Sequence, residues 1–398
     1  METVPRPHAP RWSAAVAVLL LAATLWPAPG APQPLERFCI ICGSLGGLDF
    51  VANVVVFVPF GLALVRDGFP PRRAWLIGFA LSLAIELLQW QLIPGRDASA
   101  GDLLSNTLGT GIGGWLAEHW RILRDPDARS ARRLLIGWCV LVVAVAGVAA
   151  WSLRVAEPDL VYFSQWTPVR GGYRPISGTF GGLRLFGEPL PNGVAVDPTD
   201  RPASYGHGVV DLEGVLDRPN TVESGPVLLL RLGNPLGEQA QVVQRGDALV
   251  FRSRRNASRL ALRSPTFVLD GAWTDSVATT FRVHAGMRDV ELAAQRTTVL
   301  RVSLGRAWQT IAPFEVQYGQ FEIYMAALFL AGLLFPAAFY SGRAPGPASW
   351  FVPLGLAALI LGVIPTAAGI APGGIGETVG ALMGGVAGGW LTRRRTPR

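Results

Sequence analysis

Long apolar runs dominate the chain. Stretches of roughly 17 to 25 mostly apolar residues, the length a helix needs to cross a bilayer, fall near 12–30, 48–65, 74–93, 102–118, 134–153, 320–340, 349–370 and 376–392. They predict eight spanning helices. Between 154 and 319 no such run occurs, and short segments alternate apolar and polar positions between turn residues, the period of half-buried strands. The clearest are 225–233, then 240–243 and 248–252 around the turn Arg245-Gly246-Asp247, then 279–284 and 289–293 around Ala285-Gly286, and finally 297–304. The pattern predicts a multi-span α-helical membrane protein with an inserted all-β, jelly-roll-like sandwich. Its domains are five spans over 1–153, the sandwich over 154–319 and three further spans over 320–398.

Composition agrees. Half of the 398 residues are hydrophobic and only 16% are charged, too few charges for an ordinary soluble enzyme. The net charge is +7, and every one of the 35 basic residues is arginine. Such an excess can mark nucleic acid or anionic lipid, so its distribution decides. Residues 154–319 hold 18 arginines against 16 acids and are nearly neutral, leaving the excess in the membrane part. With the N-terminus in the cytoplasm, 15 of the remaining arginines flank cytoplasmic helix ends, Arg72, Arg73, Arg132, Arg133 and Arg393 to Arg395 among them. Only Arg37 and Arg96 fall in short outer loops. The positive-inside rule then places both termini in the cytoplasm of a cell inner (plasma) membrane and residues 155–318 outside it, with membrane lipids as partners and no nucleic acid. The first span has a second reading as a cleaved signal peptide, since Ala28-Pro29-Gly30 loosely resembles a cleavage site.

Polar residues gather at one depth of the first spans. Asn53, Phe57, Pro59 and Gly61 lie on the second span, Glu86 and Gln89 on the third, Arg96 and Asp97 in the following loop, and Asp102, Asn106 and Gly109 on the fourth. At ~1.5 Å rise per residue, Asn53, Gln89 and Asn106 lie about 6 Å below the outer face and Glu86 about 10 Å below it. An intramembrane carboxylate costs on the order of 2 to 3 kcal/mol or more unless protonated, paired or wetted. Arg96 can reach back to pair with it. The expectation is a single outward-opening pocket of Asn53, Glu86, Gln89, Arg96, Asp102 and Asn106; the alternative is that these side chains only hydrogen-bond the helices together.

The motif resembles the VanZ-like family of bacterial membrane proteins, with an Asn and a Phe-x-Pro-x-Gly on one helix, a Glu-x-x-Gln on the next, then Arg, Asp and Asn-x-x-Gly. Here these are Asn53, Phe57, Pro59, Gly61, Glu86, Gln89, Arg96, Asp102, Asn106 and Gly109. The resemblance implies a cell-envelope role, linked through the family's namesake to glycopeptide (teicoplanin) resistance. The sequence over 228–252 is similar to the concanavalin A-like/laminin-G-like jelly roll, which implies glycan recognition without a transferable ligand set.

Laid over the first spans, the last part of the chain puts Gly376-Glu377 on Gly101-Asp102, Gly384 on Gly109, and Gly388 to Leu391 on Gly113 to Leu116, with Trp350 on Trp75, all without a gap. The last three spans therefore read as a degenerate repeat of 45–123, facing the same way. In it Glu86, Gln89, Arg96 and Asn106 meet Leu361, Ile364, Ala371 and Ala381, so only the first copy can hold the site. The repeat suggests a transporter. Cys39 and Cys42 read as a local disulfide or idle thiols, and Cys139 as core. Asp197, Asp200, His207 and His284 form no ligand set, so no metal and no cofactor are expected. Three functions compete: a non-enzymatic envelope protein recognising a glycan or glycopeptide, a membrane enzyme or carrier handling the head group of a lipid-linked precursor, and a transporter. The enzyme reading would use Glu86 as general base, and no nucleophile accompanies it.

Overall fold

Each of the eight apolar stretches is helical in a computed structural model of the chain: α1 (Arg11–Thr24), α2 (Gly46–Arg66), α3 (Pro71–Leu92), α4 (Ala100–Glu118), α5 (Ala128–Leu153), α6 (Gly319–Ser341), α7 (Phe351–Ala367) and α8 (Ile375–Arg394). Among the described residues four of them, α2, α3, α5 and α6, are long and apolar enough to cross a membrane. The structure describes residues 11–25, 39–92, 99–157, 161–169, 172–197, 209–219, 221, 225–234, 237–275, 277–314, 319–344, 346 and 351–394. Residues 28–30, Arg37, Arg96, Asp97, Asp200, His207 and Trp350 lie outside the described residues. The chain divides into two units, 1–130 with 260–262, and 131–259 with 263–398.

In the first unit α2 and α4 touch backbone to backbone. A Cβ on Gly61 would stand 2.0 Å from the Thr110 carbonyl oxygen, one on Gly109 2.3 Å from that of Val54, and one on Gly113 2.1 Å from that of Val58. Small residues at these positions allow the approach that holds helices together in lipid, where no hydrophobic force drives them. Gly78 gives α3 a similar seat, its Cβ position lying 2.5 Å from Thr110 Oγ1. Phe57, Phe60, Leu64, Ala74 and Ile85 fill the interior beside Leu20 of α1. The start of α1 is tied to the end of α2, where Asp67 Oδ2 accepts the Ser13 N–H at 2.8 Å and the Ser13 hydroxyl at 2.7 Å. Burial raises the Asp67 pKa, but these hydrogen bonds outweigh it and hold the carboxyl below its ordinary value.

The second unit contains the sandwich. Its strands are β1 (Tyr162–Trp166), β2 (Thr179–Leu185), β3 (Glu188–Pro189), β4 (Ala195–Val196), β5 (Val210–Asp217), β6 (Pro226–Asn234), β7 (Gly237–Arg245), β8 (Ala248–Ser253), β9 (Thr266–Leu269), β10 (Thr279–Ala285), β11 (Asp289–Ala293) and β12 (Thr297–Arg301). Among the described residues they form two six-stranded sheets, ordered β4-β1-β6-β7-β8-β9 and β12-β11-β10-β5-β2-β3, with antiparallel pairing throughout. Alternation is clean in β10, where Phe281, Val283 and Ala285 are buried while Thr280, Arg282 and His284 are exposed. Phe251, Phe267, Phe281 and Trp273 belong to the core. The turn at 245–247 holds Gly246 at φ +58°, the left-handed region that glycine enters without strain. The strand expected over 297–304 stops at Arg301, and a 3-10 turn over Leu304–Arg306 follows.

In the same unit α6 and α8 pack through Gly380, Gly384 and Gly388, whose Cβ positions fall 2.1, 2.4 and 2.5 Å from the carbonyl oxygens of Ala327, Ala331 and Phe335. Helix α7 contains a π turn over Leu359–Val363 ahead of Pro365. Pro365 has no N–H for the Leu361 carbonyl four residues back, and that carbonyl accepts the Gly373 N–H at 2.7 Å instead.

Candidate functional site

The capping of α4 decides how the polar residues of α2, α3 and α4 meet. Ser99 is its N-cap, and its hydroxyl oxygen accepts the Asp102 N–H at 3.2 Å, satisfying one of the donors that a helix start leaves open. Its own N–H goes to α3, where Glu86 Oε2 accepts it at 2.8 Å. A carboxylate suits this position because the N-terminus of a helix carries partial positive charge. From α2, the Asn53 side-chain amide donates to Asp102 Oδ1 at 2.8 Å. Ser99 and Asp102 thus draw Glu86 and Asn53 to one helix start.

One turn further into α4 the cluster closes. The Asn106 amide nitrogen donates to Ser82 Oγ at 3.0 Å, and the Thr110 hydroxyl donates to the Asn106 carbonyl at 2.9 Å. Ser82 precedes Glu86 by four residues and so shares its face of α3. Glu86 is 4% exposed, Asn106 3%, and Ser82 and Thr110 are wholly buried. Asn106 Oδ1 is buried without a hydrogen-bond partner among the described residues. Asn53 and Asp102 are half-buried. The site is therefore graded, from an accessible Asn53–Asp102 end to a closed Ser82–Asn106 end.

Gln89 is engaged elsewhere. It is 5% exposed, and its amide donates to the Thr24 carbonyl at 2.8 Å, at the last residue of α1. Arg96 lies outside the described residues. Phe57 is buried in the core, Gly61 and Gly109 form the close approach of α2 and α4, and Pro59 is exposed on α2. Ser99 and Ser82 are absent from the polar set that the sequence singles out. The spacing Ser99-x-x-Asp102 at the head of an apolar run is the available signal for the first, since it is a capping pattern; Ser82 has none, because serine is ordinary in such helices.

Cys39 and Cys42 form a disulfide, one of the two states open for them, and Cys139 is half-buried against the core of the second unit. In the sandwich, His284 is exposed on β10 and lies in register with Asp211 of β5 and Glu291 of β11. Among the described residues no three His, Cys, Asp or Glu side chains gather closely enough to hold a metal.

Residues 14–123 match the family described as VanZ/LLP1. That stretch contains α2, α3, α4 and every residue of the expected pocket. No curated protein and no solved structure matches the chain.

Proposed function

Because the chain is a VanZ-like membrane protein with a β-sandwich inserted between its helices, we propose that it serves the bacterial cell envelope by holding the polar head group of a membrane amphiphile at the start of α4. The Glu86 carboxylate carries this reading. It is 4% exposed on an apolar helix and engages the Ser99 N–H beside the half-buried Asn53–Asp102 pair. Burying a carboxylate among spanning helices costs on the order of 2 to 3 kcal/mol or more, and helix packing alone does not require it. Asn53 and Asp102 offer a donor and an acceptor to hydroxyl or amide groups, the chemistry of a lipid-linked envelope precursor.

The sandwich is the second recognition element, directed at an envelope glycan or glycopeptide, and the resemblance to the VanZ-like family supports a link to glycopeptide resistance. The arginine asymmetry supports a plasma-membrane protein with both termini cytoplasmic and residues 155–318 external. A strain carrying Glu86→Ala should differ from its parent in envelope lipid composition and in glycopeptide susceptibility. Unchanged values at parental protein level would overturn the reading. Proton transfer by Glu86 is the second possibility, favoured by its burial, and Glu86→Gln separates it from hydrogen bonding.

The last three helices also support a reading as a degenerate copy of 45–123. Gly384 and Gly388 of α8 meet Ala331 and Phe335 of α6 as Gly109 and Gly113 of α4 meet Val54 and Val58 of α2. Superposing these contacts needs a slightly shorter connection in the second copy, and the same adjustment brings Pro59 of α2 onto Pro336 of α6. Where the first copy has Asp102, the second has Glu377, whose carboxylate accepts the N–H groups of Gly305 and Gly374.

A further inference from the structure

The Cys39–Cys42 disulfide closes a four-residue loop that is docked on the start of α4. The Cys39 carbonyl accepts the Gly101 N–H at 3.2 Å and the Ser99 hydroxyl at 3.5 Å, and Cys42 Sγ lies 3.5 Å from the same hydroxyl. Gly101 is needed for this fit, since a Cβ there would stand 2.0 Å from the Ile40 carbonyl oxygen. Ser99 is therefore held from two sides, by the disulfide loop and by Glu86. The loop is open to reagents, for Ile40 and Ile41 are more than half exposed and both cysteines are half-buried.

A disulfide across so short a loop removes little chain entropy from the unfolded state, so global stabilisation is a poor account of it. Its place beside Ser99 is a better one. We propose that Cys39–Cys42 is a thiol–disulfide exchange site, reduced by a dithiol protein or small dithiol, and that its redox state sets how firmly Ser99 is held against Glu86.

The exchange balances. A donor thiolate attacks Cys39 Sγ, forming a mixed disulfide while the Cys39–Cys42 bond breaks, and Cys42 leaves as thiolate beside the N-cap of α4, where partial positive charge favours it. The donor's second thiol then displaces Cys39. Two electrons pass from the donor, which ends as a disulfide, and two protons end on Cys39 and Cys42. Freed of its cross-link, the loop gains conformations incompatible with its hydrogen bonds to Ser99 and Gly101, and the contact to Glu86 weakens. The inference stands on the loop's docking and does not depend on what the cluster binds.

The test uses the full chain with Cys139→Ser in lipid nanodiscs. It is equilibrated across a series of reduced-to-oxidised dithiothreitol ratios, quenched with a maleimide–polyethylene glycol, and followed by hydrogen exchange at the amides of 99–103. The expected result is that two thiols titrate together in the folded protein. Reduction should speed exchange at 99–103 by about tenfold or more and leave α6 and α8 unchanged, and Cys39→Ser/Cys42→Ser should reproduce the reduced pattern under oxidising conditions. A disulfide that reduces only when the protein unfolds overturns the proposal. So does equal exchange at 99–103 in both redox states.

Discussion

Arg306 and Glu322 are joined by an ion pair of 2.7 Å between a buried guanidinium and a carboxylate that is 15% exposed. Arg306 ends the 3-10 turn that follows the last strand, and Glu322 lies in the first turn of α6, so the pair locks sandwich to helix within one unit. The guanidinium also donates to the Arg301 carbonyl at 2.6 Å and sits 4.6 Å above the Phe267 ring. Burial lowers the Arg306 pKa, and the charges of Glu322 and Glu377 oppose that shift. Removing the cation strands the Glu322 carboxylate, whereas Glu377 keeps the N–H groups of Gly305 and Gly374. Arg306→Ala should therefore cost about 3 to 5 kcal/mol, and Arg306→Met with Glu322→Leu much less, because a buried pair replaced whole leaves no orphan charge. Thermal inactivation midpoints of the purified protein check the order.

Arg255, also wholly buried, behaves differently. It donates to the carbonyls of Leu153 and Gly286 and shares the aromatic environment of Arg306, with its guanidinium 5.6 Å from the Phe267 ring. Burial first, and the Arg306 charge second, push its pKa down to about 9. The unfolded chain keeps the ordinary guanidinium value, so from about 9 up to that ordinary range it binds a proton that the folded chain lacks, and this group's contribution to stability rises with pH through that window. Below it the folded protein bears the full cost of a buried charge. Arg255→Met removes the charge while keeping bulk, so its stability relative to the parent should fall as pH is raised from 8 to 10. A pH-independent difference in midpoint would contradict this.

The glycine seams should respond sharply to small additions. Gly109→Ala and Gly113→Ala put a methyl group about 2 Å from a carbonyl oxygen of α2, whereas nothing lies within 4 Å of a Cβ at Gly137. Overpacking typically costs roughly 1 to 3 kcal/mol and more where only backbone can yield, while Gly137→Ala should gain several tenths of a kcal/mol in helix propensity. Yields of folded, monodisperse protein should separate the two classes.

These seams are legible in the sequence because small residues four apart on an apolar run have few other uses. The elements are legible for a similar reason: period-two alternation places β11 at its observed ends, and eight apolar runs each become helical. What escapes is set by distance along the chain. In sequence Arg306 and Glu322 look like one more sandwich arginine and one more polar residue at a helix start, since nothing in their spacing reveals the contact between them or the nearby Phe267 and Glu377. Ser99 is hidden only in part: its cap shows as Ser99-x-x-Asp102, but its bond to Glu86 runs through a backbone N–H that no side-chain pattern reports.

The Asn53–Asp102 contact gives the most direct test of the site. The amide donates to a carboxylate oxygen at 2.8 Å, so it neutralises part of the charge that Asp102 brings to the start of α4. Asn53→Asp is nearly isosteric but sets a second carboxylate against the first. At hydrogen-bond distance two like charges cannot both persist, so one carboxyl must take up a proton or the pair must part. Phenotype in the Asn53→Asp strain should therefore be lost near neutral pH and recover in mildly acidic medium, where a shared proton restores a donor between the two oxygens. Asn53→Ala removes the donor without adding charge and should lose function at every pH by a smaller factor. Envelope lipid composition across a pH series, read for parent and both variants at matched protein levels, decides it. Equal behaviour of Asn53→Asp and Asn53→Ala at all pH values would mean that the contact only packs α2 against α4.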